Sequence, residues 1–336
     1  MQPSGTNRPC GLAESFLRWR VVVPYSEGFE GETHKGLPLF CSGGGDMRRY
    51  EIVFRSVNTE SYGKPITALV IEPERLSPGT GAMLFTHGWG GNRFQYEEAM
   101  AFAVERFDLV CVSVEFRGSG YDFDPAKGHG ACCPYDASFY QVFDVLNGLR
   151  TILSLRPRID RSRLFHYGGS QGGHIALLGA IFAPCTFAFV YASCAVTHLD
   201  ERFRRKAGRE FSEYELEIRD VVKLGDRIGC PVFLEHGTAD EAVPHGTHAV
   251  PLERRLRDCG KLAGVKYYEG GGHSLAPVTT RLETFKATAP KFLDTFRNDR
   301  EDDFLAGRTV RVPCGDRTLV VDWSRPPDDP ELFRWE

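Results

Sequence analysis

The sequence lacks the features that mark a membrane-spanning, nucleic-acid-binding or repeat protein. No stretch reaches the roughly 18 consecutive apolar residues that a membrane span needs. The first 30 residues contain no continuous apolar segment of the kind found in secretion signals, so we expect a cytoplasmic protein. The net charge of −4 gives no electrostatic reason to expect nucleic acid as a partner. There is no internal repeat and no low-complexity tract.

Cysteine is plentiful, but its spacing does not indicate a metal site. The ten cysteines are scattered, and without a secretion signal we expect them to be mostly reduced. His129 with Cys132 and Cys133 lacks a second half-site, which predicts a loop rather than a zinc centre, and the same holds for His245 and His248. We therefore expect no metal and no cofactor. A chain of 336 residues with 42% hydrophobic and 26% charged residues suits one large α/β domain with additions.

The most informative stretch is Gly168–Gly172, which has the pattern G-x-S-x-G of a nucleophile elbow. Residues 164–167 before it are apolar and aromatic, as in a short buried strand, and the residues after it are typical of a helix. In such a turn the serine hydroxyl is exposed, and the two flanking glycines let strand and helix approach closely. We predict that Ser170 is a nucleophile. A glycine-rich turn with an incidental serine is the alternative for this motif taken alone.

A nucleophilic serine needs a base, and the base needs an acid that orients it. Asp240 lies in the loop after a predicted strand, and His273 lies on a glycine-rich loop after the next one. The chain order serine, acid, histidine is the one that accompanies a nucleophile elbow. We therefore predict a catalytic triad of Ser170, Asp240 and His273, with Glu241 as the alternative acid.

Over residues 50–297 the chain resembles serine hydrolases of the α/β-hydrolase superfamily. The similarity is greatest to the branch that holds acetyl xylan esterases, dienelactone-hydrolase-like enzymes and the catalytic domains of prolyl oligopeptidases. Gln171 after the serine resembles the esterase pattern, whereas the peptidases more often have tyrosine there. Ser274 stands where the esterases usually have glutamate. The resemblance rests on five motifs: His87-Gly88, residues 117–120, Gly168–Gly173, residues 236–244 and His273.

The resemblance implies an α/β-hydrolase fold with a mostly parallel central sheet, helices on both faces and a small helical cap insertion. It also implies an oxyanion hole made by the backbone N–H groups of Trp89 and Gln171. It favours Asp240 over Glu241, because similar hydrolases place the aspartate four residues after the histidine that corresponds to His236.

The chain divides by composition into three parts. The cap candidate, residues 196–229, is rich in Arg and Glu and looks helical; solvated helices without a gating role are the alternative. The first two predicted strands should pair as an antiparallel hairpin. The predicted parts are an irregular leader at 1–48, a catalytic domain at 49–299 and a C-terminal hairpin tail at 300–336.

We expect a serine carboxylic ester hydrolase that acts on short, acetyl-type esters through an acyl-enzyme. A serine peptidase or amidase of the prolyl oligopeptidase type is the second hypothesis, and a non-catalytic binding protein of the same fold is the third. The expected partner is a small-molecule ester, with neither nucleic acid nor a membrane, and a homo-oligomer is left open. We expect Trp89, residues 121–135 and residues 197–223 to wall the substrate pockets.

Overall fold

The computed structural model describes residues 47–58, 63–120 and 133–336. Most of the predicted leader lies outside these ranges, as do His129, Cys132 and the greater part of the predicted pocket wall at 121–135. The strands are β1 (Met47–Ser56), β2 (Lys64–Pro73), β3 (Gly81–Thr86), β4 (Leu109–Glu115), β5 (Leu164–Gly169), β6 (Phe189–Ser193), β7 (Val232–Gly237), β8 (Leu262–Tyr268), β9 (Thr309–Cys314), β10 (Arg317–Asp322) and β11 (Phe333–Trp335).

Eight strands form one sheet in the order β1-β2-β4-β3-β5-β6-β7-β8. Strand β2 runs antiparallel to β1 and to β4, and the other neighbouring pairs are parallel. The first two strands therefore pair as the predicted hairpin. Strands β3, β5, β6 and β7 are buried at every position, as expected for parallel strands covered on both faces.

Helices cover both faces of this sheet, as predicted. Helices α2 and α3 pack on one face, in a core that includes Phe143, Leu146 and Leu178. Helices α1 and α7 pack on the other face, with Met100 and Phe285. The helices are α1 (Glu97–Phe107), α2 (Phe139–Leu155), α3 (Gln171–Phe182), α4 (Glu201–Ala207), α5 (Glu213–Glu217), α6 (Ala249–Asp258), α7 (Arg281–Thr288), α8 (Pro290–Leu293) and α9 (Asp303–Ala306).

Helix α3, which follows the nucleophile elbow, is buried at every one of its 12 positions. A helix without a polar face needs neighbours on all sides, and α3 has the sheet, α2 and the C-terminal strands around it. Its first residue is thereby held rigidly beside Ser170. Within the described ranges, no helix is long and apolar enough to cross a membrane.

The chain adds two segments to the central sheet, a helical one at residues 196–229 and a C-terminal one that forms strands. The predicted cap segment, residues 196–229, contains the short helices α4 and α5, with turns between them. The C-terminal tail contains the predicted hairpin of β9 and β10, and β11 adds a third strand that sequence reasoning did not predict. This small sheet packs against the helical layer: Trp323 Nε1 donates to the Phe182 carbonyl at 2.8 Å, and Phe333 stacks on Phe143.

Candidate active site

Ser170 is the single residue between β5 and α3. Its φ of +58° is a backbone conformation that residues other than glycine seldom adopt. A Cβ on Gly168 would lie 2.1 Å from the Gly172 carbonyl oxygen, and one on Gly172 would lie 1.9 Å from the Thr86 carbonyl oxygen. No larger residue fits at either glycine, so the elbow needs both. This is the close approach of strand and helix that the G-x-S-x-G spacing predicts.

The structure brings the three predicted triad residues into one hydrogen-bonded chain. Ser170 Oγ lies 2.9 Å from His273 Nε2, and His273 Nδ1 lies 2.7 Å from Asp240 Oδ2. They come from the loops after β5, β7 and β8, which all end at the same edge of the parallel sheet. Since a carboxylate only accepts, Nδ1 carries the imidazole proton, and Nε2 is free to accept the proton of the serine hydroxyl.

Asp240 is held as a charged acceptor. Its Oδ1 accepts the Val243 backbone N–H at 2.8 Å, and its Oδ2 lies 3.1 Å from His236 Nε2. Burial alone would raise the pKa of Asp240, but the hydrogen bonds from His236 and His273 outweigh it and hold that pKa well below its usual range. Glu241, the alternative acid, is exposed to solvent. The geometry therefore favours Asp240 as the partner of the histidine.

Cys194, His236 and Asp240 have donor atoms within 4.8 Å of one another, which is close enough to suggest a metal site. However, His236 Nε2 also lies 2.7 Å from the Val243 carbonyl oxygen. A carbonyl oxygen can only accept, so this nitrogen carries a proton and has no lone pair for a metal. His236 Nε2 therefore fits a hydrogen-bond donor to Asp240 better than a metal ligand.

The two predicted oxyanion residues both lie near the serine in the fold. Gln171 is the first residue of α3, directly after Ser170. Trp89 follows Gly88, where a Cβ would lie 3.3 Å from Ser170 Cβ. The Gln171 side chain is turned away into a buried network, in which its Oε1 accepts from the Tyr135 hydroxyl at 2.9 Å and its Nε2 donates to Gln141 at 2.7 Å. Its backbone N–H remains the group available to a substrate.

An aromatic cluster covers one side of this region. The Trp89 ring stacks on Tyr135 with a centroid distance of 4.1 Å and lies 6.4 Å from the ring of Phe203 on α4. Val196, at the start of the cap segment, packs in the same cluster and donates its N–H to the Ser170 carbonyl at 3.2 Å. The cap segment is thus joined both to the elbow and to the loop that carries Trp89.

Sequence reasoning missed Arg281, the first residue of α7. Its Nη2 donates to the backbone carbonyl of His273, and a Cβ on Gly169 would lie 3.4 Å from its guanidinium carbon. Burial lowers the pKa of Arg281, but Tyr96 and Cys194 raise it and more than offset this, so the group stays charged. Arg281 ties the histidine loop to the end of β5. No motif marks this arginine, eight residues after His273, so the sequence offered no signal for it.

A sequence profile of the prolyl oligopeptidase family matches residues 104–298, more than half of the chain, including Ser170, Asp240 and His273. The chain belongs to the prolyl oligopeptidase family. It is accordingly a serine hydrolase, and its mostly parallel sheet is that of the α/β-hydrolase fold.

Solved structures of similar fold include both peptidases and esterases. The acylaminoacyl peptidase of Pyrococcus horikoshii has a TM-score of 0.61 at 17% identity, with 77% of this chain and 43% of that one covered. A puromycin-hydrolysing peptidase of Mycobacterium tuberculosis has a TM-score of 0.54 at 20% identity, with 73% of this chain and 39% of that one covered. Acetyl xylan esterase 1 of Thermoanaerobacterium sp. JW/SL YS485 has a TM-score of 0.54 at 18% identity, with 74% of this chain and 83% of that one covered. The chain thus spans less than half the length of these two peptidases, and at such identities the likeness concerns the fold alone.

Proposed function

We propose that this serine hydrolase is a carboxylic ester hydrolase that acts on short acyl esters through an acyl-enzyme. The observation that carries the proposal is the continuous chain Asp240–His273–Ser170, with hydrogen-bond distances of 2.7 and 2.9 Å. That arrangement supplies a nucleophile, a base with a free nitrogen and a carboxylate that orients the base.

In the proposed reaction, the Ser170 oxygen attacks the ester carbonyl carbon while His273 Nε2 takes the hydroxyl proton. The carbonyl oxygen gains negative charge and is stabilised by the N–H groups of Gln171 and Trp89. The tetrahedral intermediate collapses, the alcohol leaves with the proton from His273, and the acyl group stays on Ser170. A water molecule, deprotonated by the same imidazole, then releases the acid and restores the serine. Asp240 stays ionised throughout and stabilises the imidazolium.

The preference for short acyl groups is supported by the aromatic cluster beside the oxyanion loop. Trp89, Tyr135 and Phe203 pack against one another, and the cap segment holds them against the elbow. A wall of aromatic rings beside the proposed oxyanion residue Trp89 penalises extra methylene groups, at about 1–3 kcal/mol for each one that does not fit.

A second candidate is a peptidase or amidase activity, which the prolyl oligopeptidase family match favours. Gln171 argues for the esterase, because it stands where the peptidases more often have tyrosine. The same triad can attack an ester or an amide, so only substrate turnover separates the two.

The test is a hydrolysis screen with p-nitrophenyl acetate, butyrate and octanoate beside aminoacyl p-nitroanilides, with Ser170→Ala as the blank. We expect the acetyl and butyryl esters to have the highest kcat/KM. Faster turnover of the anilides would make the chain a peptidase, and a preference for octanoate would replace the short-acyl pocket with a lipase-like one.

A further inference from the structure

Helix α4 and the turn after it carry a positive charge that contrasts with the rest of the chain. Residues 201–210 contain five arginines and lysines and two glutamates, an excess of three positive charges in a chain whose net charge is −4. The helix also contributes Phe203 to the aromatic cluster around Trp89. The excess positive charge therefore lies beside the candidate active site.

Three of these cations already have acceptors. Arg205 lies 3.9 Å from Glu201, and Arg209 lies 2.9 Å from Glu215. Arg202 donates to the backbone carbonyls of Glu241 and Ala242, in the loop of the triad acid. Among the described residues, the side chains of Arg204 and Lys206 are left without a carboxylate partner.

Lys206 differs from Arg204 in where its charge lies. Its Nζ is 4.7 Å from the centroid of the Trp89 ring, and Trp89 is next to Gly88, whose backbone packs against Ser170. Lys206 is exposed to solvent like Arg204, but desolvation of its amine, together with the charge of Arg202, lowers the pKa of Lys206. An ammonium that lies over an aromatic ring and has no carboxylate partner among the described residues is well placed to receive an anionic group.

We propose that Lys206, held over the Trp89 ring, binds a negatively charged group of the substrate, so that the preferred esters are anionic ones bearing a carboxylate on the acyl or the alcohol part. This inference rests on the proposed esterase function and names its substrate class. The ammonium lies over the ring of Trp89, and an anionic group of the substrate supplies the ion-pair partner that Lys206 lacks among the described residues.

The test compares matched charged and neutral esters. On the alcohol side these are 4-acetoxybenzoate and its methyl ester, and on the acyl side they are monophenyl adipate and methyl phenyl adipate. The quantity measured is the ratio of kcat/KM for the anionic ester to that for its neutral partner, in the wild type, in Lys206→Gln and in Arg204→Gln. Arg204→Gln is the matched control, because it removes the same charge from the same helix.

We expect the wild type to favour the anionic member of at least one pair, and Lys206→Gln to lower that ratio about tenfold, the size expected for losing one partly desolvated charged contact. Arg204→Gln should change the ratio less than about twofold, in keeping with an exposed charge. The pair that responds tells whether the charge belongs on the acyl or the alcohol side. An unchanged ratio in Lys206→Gln, or an equal fall in Arg204→Gln, would overturn the proposal.

The anionic-site proposal can still be tested if the esterase hypothesis fails. If the protein cleaves anilides but not esters, the same ratio is measured with the N-succinyl and N-acetyl derivatives of alanine p-nitroanilide. A succinyl preference that Lys206→Gln removes would support the anionic site on a peptidase, and equal turnover of the two would reject it.

Discussion

The carboxyl edge of the central sheet and the cap segment at residues 196–229 both contact Ser170, but they are held in place by different means. At the sheet edge, each triad residue sits on a short loop directly after a buried strand, and neighbouring backbone groups position it. The Val243 N–H on Asp240 and the tight glycine contacts around Ser170 are examples. The positions of these side chains follow from contacts within a few residues and from the sheet order.

Local support for the cap segment lies at its helix starts, where the Asp200 carboxylate accepts the Phe203 N–H and Glu215 accepts the Ser212 N–H. Helices α4 and α5 have seven and five residues, and helices of that length are marginal in water on their own. Long-range contacts hold them: Phe203 packs near Trp89, and the buried side chain of Arg219 donates to the carbonyls of Ala137 and Asp136. We infer that changes at the sheet edge alter turnover, whereas changes in the cap and its partners alter selectivity.

The largest effect is expected at the nucleophile. Ser170→Ala removes the attacking oxygen and should lower kcat by about 10⁵–10⁶ while leaving the far-ultraviolet circular dichroism unchanged. The control is Ser274→Ala, an exposed serine next to His273, which should keep activity within about threefold. Turnover by Ser170→Ala close to that of the wild type would remove Ser170 from the nucleophile role.

The acid of the triad should come next. Asp240→Asn would let the imidazole carry its proton on the wrong nitrogen and should lower kcat by about 10⁴. Glu241→Gln, at the exposed neighbouring position, should cost less than about twofold. Steady-state kinetics of the two variants settles which carboxylate serves His273, and the opposite ranking would exchange their assignments.

Arg281 tests whether a residue that contacts the backbone of His273, but not the substrate, also alters turnover rather than selectivity. Arg281→Met removes the hydrogen bond to the His273 carbonyl and should lower kcat by about 10–100-fold with little change in KM, because a small displacement of the base slows proton transfer. Lys286→Met, at an exposed position of the same helix, is the control. A raised KM with normal kcat would instead make Arg281 a substrate-binding residue, and thermal denaturation checks that the variant is folded.

Trp89 tests the selectivity side of the comparison. Trp89→Ala keeps the backbone N–H but removes the ring that stacks on Tyr135. The ratio of octanoyl to acetyl kcat/KM should rise about tenfold, because each methylene group that fits the enlarged pocket adds about 1–3 kcal/mol of transition-state binding free energy. Phe304→Ala, which removes an aromatic ring of α9 that packs on Trp323, should leave the ratio unchanged. A loss of acetyl turnover without a wider acyl range would contradict the pocket assignment.

The smallest effect is expected from Glu235, a buried residue of β7 that accepts hydrogen bonds from Tyr191 and Thr284. Burial raises the pKa of this carboxyl, although those hydrogen bonds oppose it. Above the unfolded pKa of about 4.3 the unfolded chain releases this proton more readily, so the wild type loses stability as the pH rises. Glu235→Gln cannot ionise and should gain stability relative to the wild type in urea denaturation as the pH rises above about 4.3. A difference that does not depend on pH would refute this.

Much of the catalytic edge could be predicted because its signals are local. The strand β3 is a continuous apolar run and the helix α2 has helical periodicity, and both signals act over neighbouring residues. Gly168 is required by a contact with Gly172, four residues on, whereas Gly172 is required by the Thr86 carbonyl of β3. Two residues next to each other, Asp240 and Glu241, could not be separated by such patterns on their own, and the hydrogen bond to His273 distinguishes them.

By itself the sequence determined the order of nucleophile, acid and base, the alternation of strands and helices, and the turn geometry around Ser170, because steric limits on the backbone and hydrophobic periodicity operate over short stretches. Only the tertiary structure decided that Arg281 supports the histidine loop, that Lys206 lies over Trp89, and that a third strand completes the C-terminal sheet. These contacts join residues that are far apart in the chain, and they depend on how whole elements pack rather than on any local pattern.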